Sequence, residues 1–98
     1  MLSERQKKYL RGLAHQRKPV VLLGKAGLTD SVAQELDSAL AIHELVKVGA
    51  RTGDREQRDG ILAQLAAQTK SELIQRVGNM GLFYRPNPQK TKRLVLPD

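Results

Sequence analysis

Val20-Val21-Leu22-Leu23-Gly24-Lys25-Ala26-Gly27-Leu28-Thr29-Asp30 is the stretch on which the fold of this 98-residue chain turns. Four apolar residues that stop at a glycine read as a short strand buried on both faces. Gly24 to Gly27 form a glycine-bounded turn, and Thr29 or Asp30 then caps a helix. Val32, Leu36, Ala39 and Leu40 recur at helical spacing and line its buried face, which ends near His43. A strand that runs straight into a helix opens a strand–helix–strand unit. The closing strand is Leu45-Val46-Lys47-Val48-Gly49-Ala50-Arg51, with Val46, Val48 and Ala50 pointing one way and Lys47 and Arg51 the other. Such units pair their strands in parallel through a right-handed crossover.

Ahead of this unit, Pro19 excludes a continuing helix and favours extended chain before it. Ser3 and Gln6 have the spacing of a capping box, so a helix runs from there to about His15. Leu2, Tyr9, Leu10, Leu13 and Ala14 share one arc of it. Lys7, Lys8, Arg11 and His15 occupy the opposite arc, with Glu4 among them. This helix therefore buries one face and presents a cationic one.

Beyond the unit, Gly53-Asp54 starts a third helix with Ile61, Leu62 and Leu65 in the core. Its interior Gly60 costs about 1 kcal/mol relative to alanine. Glu72 to Val77 and Leu82 to Arg85 read as strands joined by a hairpin at Gly78-Asn79-Met80-Gly81. The expected fold class is α/β: an N-terminal helix, then β-α-β-α-β-β, forming a mixed four-stranded sheet packed by helices. Residues 1–85 form a single domain. Residues 86–98, with three prolines and several cations, form a basic tail that is loose or docks Leu94-Val95-Leu96 as an edge strand.

The net charge is +7, and its placement says more than its size. Residues 1–18 hold Arg5, Lys7, Lys8, Arg11, Arg17 and Lys18 against Glu4 alone; residues 85–98 hold Arg85, Lys90, Lys92 and Arg93 against Asp98. Residues 19–84 are nearly balanced, with seven basic and eight acidic side chains. An excess confined to the chain's ends points to a polyanion, nucleic acid before membrane. A pair of basic solvated tails is the plainer reading.

The turn at Gly24-Lys25-Ala26-Gly27 is the candidate contact. Two glycines remove side chains where a sugar-phosphate backbone could approach. The helix behind it offers a positive dipole end to a phosphate, and Lys25 adds a charge at the tip. GxxG loops of the KH type clamp nucleic acid this way. An ordinary strand-to-helix turn would share the spacing, and the neighbouring basic helix is what favours the contact. Gly78-Asn79-Met80-Gly81 repeats the spacing in a hairpin, without a helix behind it or a cation inside it, and reads as a turn.

Other classes of function find little purchase. Cysteine is absent, and two histidines without support leave no metal site and no cofactor to expect. His15 lies near Arg11 and Lys18; His43 projects from the apolar side of the second helix, where it packs or caps. No nucleophile–base order, phosphate-binding loop or paired acidic motif appears, so the chain is not expected to be an enzyme. No apolar run approaches the roughly 18 residues of a membrane span, and the polar N-terminus lacks a signal peptide's apolar stretch. A cysteine-free chain fits a reducing cytosol, and a cytoplasmic monomer is expected. Tyr9, Phe83 and Tyr84 are the only aromatics. Phe83 and Tyr84 are adjacent in a strand and face opposite sides, so at most one can stack on a base.

Gly12-Leu13-Ala14-His15, Lys18-Pro19-Val20-Val21-Leu22-Leu23-Gly24, Gly27-Leu28-Thr29, His43-Glu44-Leu45-Val46-Lys47-Val48, Val77-Gly78 and Leu82-Phe83-Tyr84-Arg85-Pro86 together resemble the CRM domain, most closely its stand-alone bacterial YhbY form. The likeness runs in order over nearly the whole chain. It implies a fold similar to the C-terminal domain of translation initiation factor 3. It also implies RNA binding, association with precursors of the large ribosomal subunit and a part in ribosome maturation; in plant organelles the domain serves intron splicing. On this likeness Gly24, Lys25, Ala26 and Gly27 correspond to the RNA-contacting loop, and Lys7, Lys8 and Arg11 to its cationic flank. Lys18 and Lys47 join them as expected RNA contacts, with the tail cations beyond. Two positions depart from the family's pattern: Val48-Gly49-Ala50, where a larger or basic residue is expected, and Asn79, where lysine is common. The competing expectation is a basic module that docks an acidic protein surface.

Overall fold

The computed structural model describes residues 2–24, 27–51, 53–89 and 95–97. The first helix, α1 (Glu4–Ala14), opens with the capping box: Ser3 Oγ accepts from the Gln6 N–H at 3.1 Å, and Gln6 Oε1 accepts from the Ser3 N–H at 2.9 Å. The chain then forms β1 (Val21–Leu23), α2 (Asp30–His43), β2 (Leu45–Ala50), α3 (Arg55–Thr69), β3 (Glu72–Val77) and β4 (Met80–Tyr84). The sheet order is β1-β2-β4-β3, with β1 parallel to β2 and the other two pairings antiparallel. The mixed four-stranded α/β architecture follows the sequence's helix and strand periods element by element.

Side chains of one strand alternate between two faces. Val46, Val48 and Ala50 of β2 join Val21, Leu23 and Phe83 beneath α2 and α3, where Leu36, Leu40, Leu62 and Leu65 complete a fully buried core. The other face carries Leu45, Leu82 and Tyr84, which pack against Leu10 and Ala14 of α1. Thus two helices cover one face and a single short helix covers part of the other. Phe83 and Tyr84 do face opposite sides, but both are buried, so neither offers a ring to a base.

Three local expectations need correction. β1 is not buried on both faces: Val21 and Leu23 are buried, while Leu22 is 67% and Val20 50% exposed. β1 is an edge strand, and α1 packs over Leu45, Leu82 and Tyr84 of the neighbouring strands. The final strand begins at Met80, not Leu82, because the hairpin needs only Gly78 and Asn79, with glycine at φ +57° in the first turn position. His43 is the last residue of α2 and is exposed.

The third helix is better anchored than its interior glycine suggested. Asp54 caps it, accepting from the Gln57 N–H at 2.9 Å, and Gln57 Oε1 accepts from the Asp54 N–H at 3.0 Å. Beyond β4 the chain stays attached. Arg85 donates to Asp37 Oδ1 at 2.6 Å and to the Thr69 carbonyl at 2.7 Å, tying β4 to α2 and α3. Asn87 donates its N–H to Glu44 Oε2 at 2.9 Å and its side-chain amide to the Ala41 carbonyl at 2.9 Å. Leu96 packs against the α1 cluster, and Gln6 Nε2 donates to the Pro97 carbonyl at 3.0 Å. Val95 to Pro97 form no strand; the contacts of these three residues are the Leu96 side chain and the Pro97 carbonyl. Leu94 and the tail cations Lys90, Lys92 and Arg93 lie outside the described residues.

Candidate nucleic-acid interface

The glycine turn leaves β1 at the end of the sheet where β2 also terminates. The β3–β4 hairpin lies at that end too, for Ala50 donates its N–H to the Asn79 carbonyl at 2.7 Å. Because both crossovers are strand-to-helix, α2 and α3 begin there. The turn is closed by the Gly27 N–H donating to the Gly24 carbonyl at 3.0 Å. Thr29, not Asp30, is the cap of α2; its Oγ1 accepts from the Val32 N–H at 3.2 Å. Lys25 and Ala26 lie outside the described residues.

The two glycines of the turn differ in what the fold asks of them. Gly27 is buried with φ +71°, a conformation that costs an L-residue with a side chain roughly 1–2 kcal/mol. Gly24 is exposed, its φ is not positive, and an added β-carbon would meet nothing within 4 Å. The backbone therefore requires glycine at 27 but not at 24.

The expected cations also divide. Lys7 is half-buried with its Nζ 3.7 Å from Glu4 and 3.7 Å from Glu72, so its charge is offset. Lys8 and Lys18 are exposed, on α1 and in the segment before β1. Arg11 and Lys47 come together from different elements to line one cavity of about 230 Å³. Among the described residues no carboxylate pairs with Lys8, Arg11, Lys18 or Lys47. Other cations are engaged by the fold: Arg17 donates to the Leu45 carbonyl at 2.9 Å, Arg76 pairs with Asp59, and Arg85 with Asp37.

The cavity lies where the C-terminal turn of α1 leaves the sheet uncovered. His15 shares its rim with Arg11 and Lys47, while Gln75, Met80 and Leu82 come from the sheet. Beyond it, the pairings Leu22↔Gly49, Gly49↔Met80 and Val77↔Met80 lay a row of apolar side chains across the open face. Gly49 makes that row possible: a β-carbon there would stand 2.9 Å from Leu22 Cδ2. The departure from a larger residue at this point thus has a local cause. Gln75, Val77 and Met80 were not singled out by sequence. A register shift between Leu73 and Gln75 brings Gln75 opposite Leu82, which itself pairs with Lys47, and a single strand's alternation gives no sign of it.

Among the described residues, no group of His, Asp or Glu side chains could hold a metal ion, and no helix is long and apolar enough to cross a membrane.

Residues 2–85 match the model of the CRS1/YhbY (CRM) domain. A "Probable RNA-binding protein" of Pseudomonas aeruginosa is 42% identical over 93 residues, which is 95% of this chain and 89% of that one. An "RNA-binding protein" of Haemophilus influenzae is 42% identical over 88 residues, 90% of this chain and 89% of its own. The "Probable RNA-binding protein YqeI" of Bacillus subtilis is 31% identical over 97 residues, 99% of this chain and 100% of that one. The solution structure of the hypothetical protein SAV1595 from Staphylococcus aureus superposes with a TM-score of 0.83 at 34% identity, covering 99% of this chain and 100% of that one.

Proposed function

The chain belongs to the CRS1/YhbY (CRM) domain family, and from that membership and the geometry above we propose that it is an RNA-binding protein of ribosome assembly. Its target is ribosomal RNA of the large-subunit precursor. It acts by binding and not by catalysis. The glycine turn approaches the sugar-phosphate backbone, with Gly24, Lys25, Ala26 and Gly27 as the contact loop. Lys8 and Arg11 of α1 extend the contact, joined by Lys18 and Lys47. Lys7 contributes least, because Glu4 and Glu72 already hold its ammonium.

The observation that carries this reading is the division between the glycines. The fold accounts for Gly27 through its positive φ but leaves Gly24 open on its Cβ side. A bare backbone beside a helix N-terminus admits a phosphate where a side chain would stand in the way. The unpaired cations on α1 and β2 supply a non-specific electrostatic attraction. With Phe83 and Tyr84 both buried, the sheet offers no aromatic platform, and recognition rests on phosphates and shape and not on a base-by-base code.

Crosslinking in cells, followed by sequencing of the bound RNA, tests the target. Sites clustered in one region of the large-subunit precursor are expected. A single protein partner that stays bound after nuclease treatment, without ribosomal RNA sites, would instead establish a module for an acidic protein surface.

A further inference from the structure

We propose that the cavity between α1 and the open sheet face receives one unpaired nucleotide of the bound RNA. This rests on the RNA-binding reading and adds to it a second contact, on the sheet face beside α1. The walls differ in chemistry. Arg11 and Lys47 bring two cations that no described carboxylate neutralises. Met80 and Leu82 give an apolar surface, and the exposed Gln75 stands at the edge. A phosphate fits the first wall and a base face the second. Gln75 carries both a donor and an acceptor, enough to meet a base edge, and no described group hydrogen-bonds its amide.

Size favours one base inside, with its sugar and phosphate at the rim. A volume of about 230 Å³ lies below the roughly 300–1,000 Å³ of pockets that take whole drug-sized ligands. A duplex has no free base to offer it, whereas loops and bulges present bases splayed from the stack. The occupant is therefore an extruded base with its own phosphate, held between helix and sheet. The exposed row of Leu22 and Val77 continues the apolar surface outward, where the next ribose can lie.

The test uses the full chain and two blunt-ended RNA duplexes without loops that differ only in one bulged adenosine. Affinities are measured for the native chain and for Gln75→Ala, whose exposed strand position leaves folding intact; a thermal melt checks this. The native chain binds the bulged duplex roughly tenfold tighter, the scale of one hydrogen-bonded base contact. The ratio falls towards one in Gln75→Ala, and amide resonances of Gln75, Met80 and Gly81 shift only with the bulged RNA. Equal affinity for both duplexes overturns the pocket while leaving RNA binding in place. A preference that survives Gln75→Ala without shifts at these amides also overturns it. Failure to bind either duplex overturns the RNA-binding reading itself.

Discussion

Asn87 donates its backbone N–H to Glu44 Oε2 at 2.9 Å, joining residues 43 positions apart. Glu44 is fully buried and sits at φ +63° between α2 and β2; its carbonyl accepts the Arg85 N–H at 2.9 Å. One residue thus holds the exit of β4 and the start of the C-terminal segment. Glu44→Ala leaves the part-buried Asn87 N–H without its acceptor and is expected to cost about 1–3 kcal/mol. Chemical denaturation measures the loss, and hydrogen exchange at the Asn87 amide should quicken in parallel.

Gly60 marks the opposite case. It is exposed in the middle of α3, and a β-carbon there would meet nothing within 4 Å. Gly60→Ala should stabilise the protein by about 1 kcal/mol, raising the melting temperature by roughly 4–8 °C. RNA affinity should not change, because the substitution alters neither charge nor the glycine turn.

Substitution of the two turn glycines should separate folding from binding. Gly24→Ala should leave the denaturation midpoint nearly unchanged and weaken RNA binding about tenfold, the effect of holding one phosphate contact away. Gly27→Ala should lose about 1–2 kcal/mol of stability through its left-handed backbone. An unaltered affinity in a well-folded Gly24→Ala variant would reduce the loop to a turn.

Arg11→Ala and Lys47→Ala should each weaken binding to all RNA sequences alike and lower the salt slope by about one. Lys7→Ala should change the slope less, since its ion pairs with Glu4 and Glu72 must break before it can serve RNA. Its stability cost should stay within about 1 kcal/mol, as for other surface pairs.

Local signals in the chain were legible where their cause was local. Ser3 with Gln6, and Thr29 before α2, announce caps because the partners lie within one turn. Leu36, Ala39, Leu40, Leu62 and Leu65 announce the core through helical spacing. What escaped depends on non-local cover and register. The exposure of Leu22 follows from an edge strand beside a helix too short to cover the whole face. The arrival of Gln75 beside the Lys47–Leu82 pair follows from the shifted β3–β4 register. Glu44 was hidden for a different reason: a left-handed helix end favours glycine, and an acidic residue between His43 and Leu45 gives no hint of burial. Within the candidate site, the cationic arc was readable, but its division into Lys7, held by Glu72, and Arg11, left unpaired beside Lys47, was not.

Binding in which the cations of α1 and β2 hold the backbone phosphates of RNA beside a bare glycine turn must weaken steeply as salt rises. The most direct test is the affinity for a fragment of large-subunit precursor RNA, measured between about 50 and 200 mM salt by fluorescence anisotropy. A log–log slope on the order of −3 to −5 is predicted, corresponding to roughly four to six phosphate contacts. Affinity that holds constant across this range would exclude binding through phosphates.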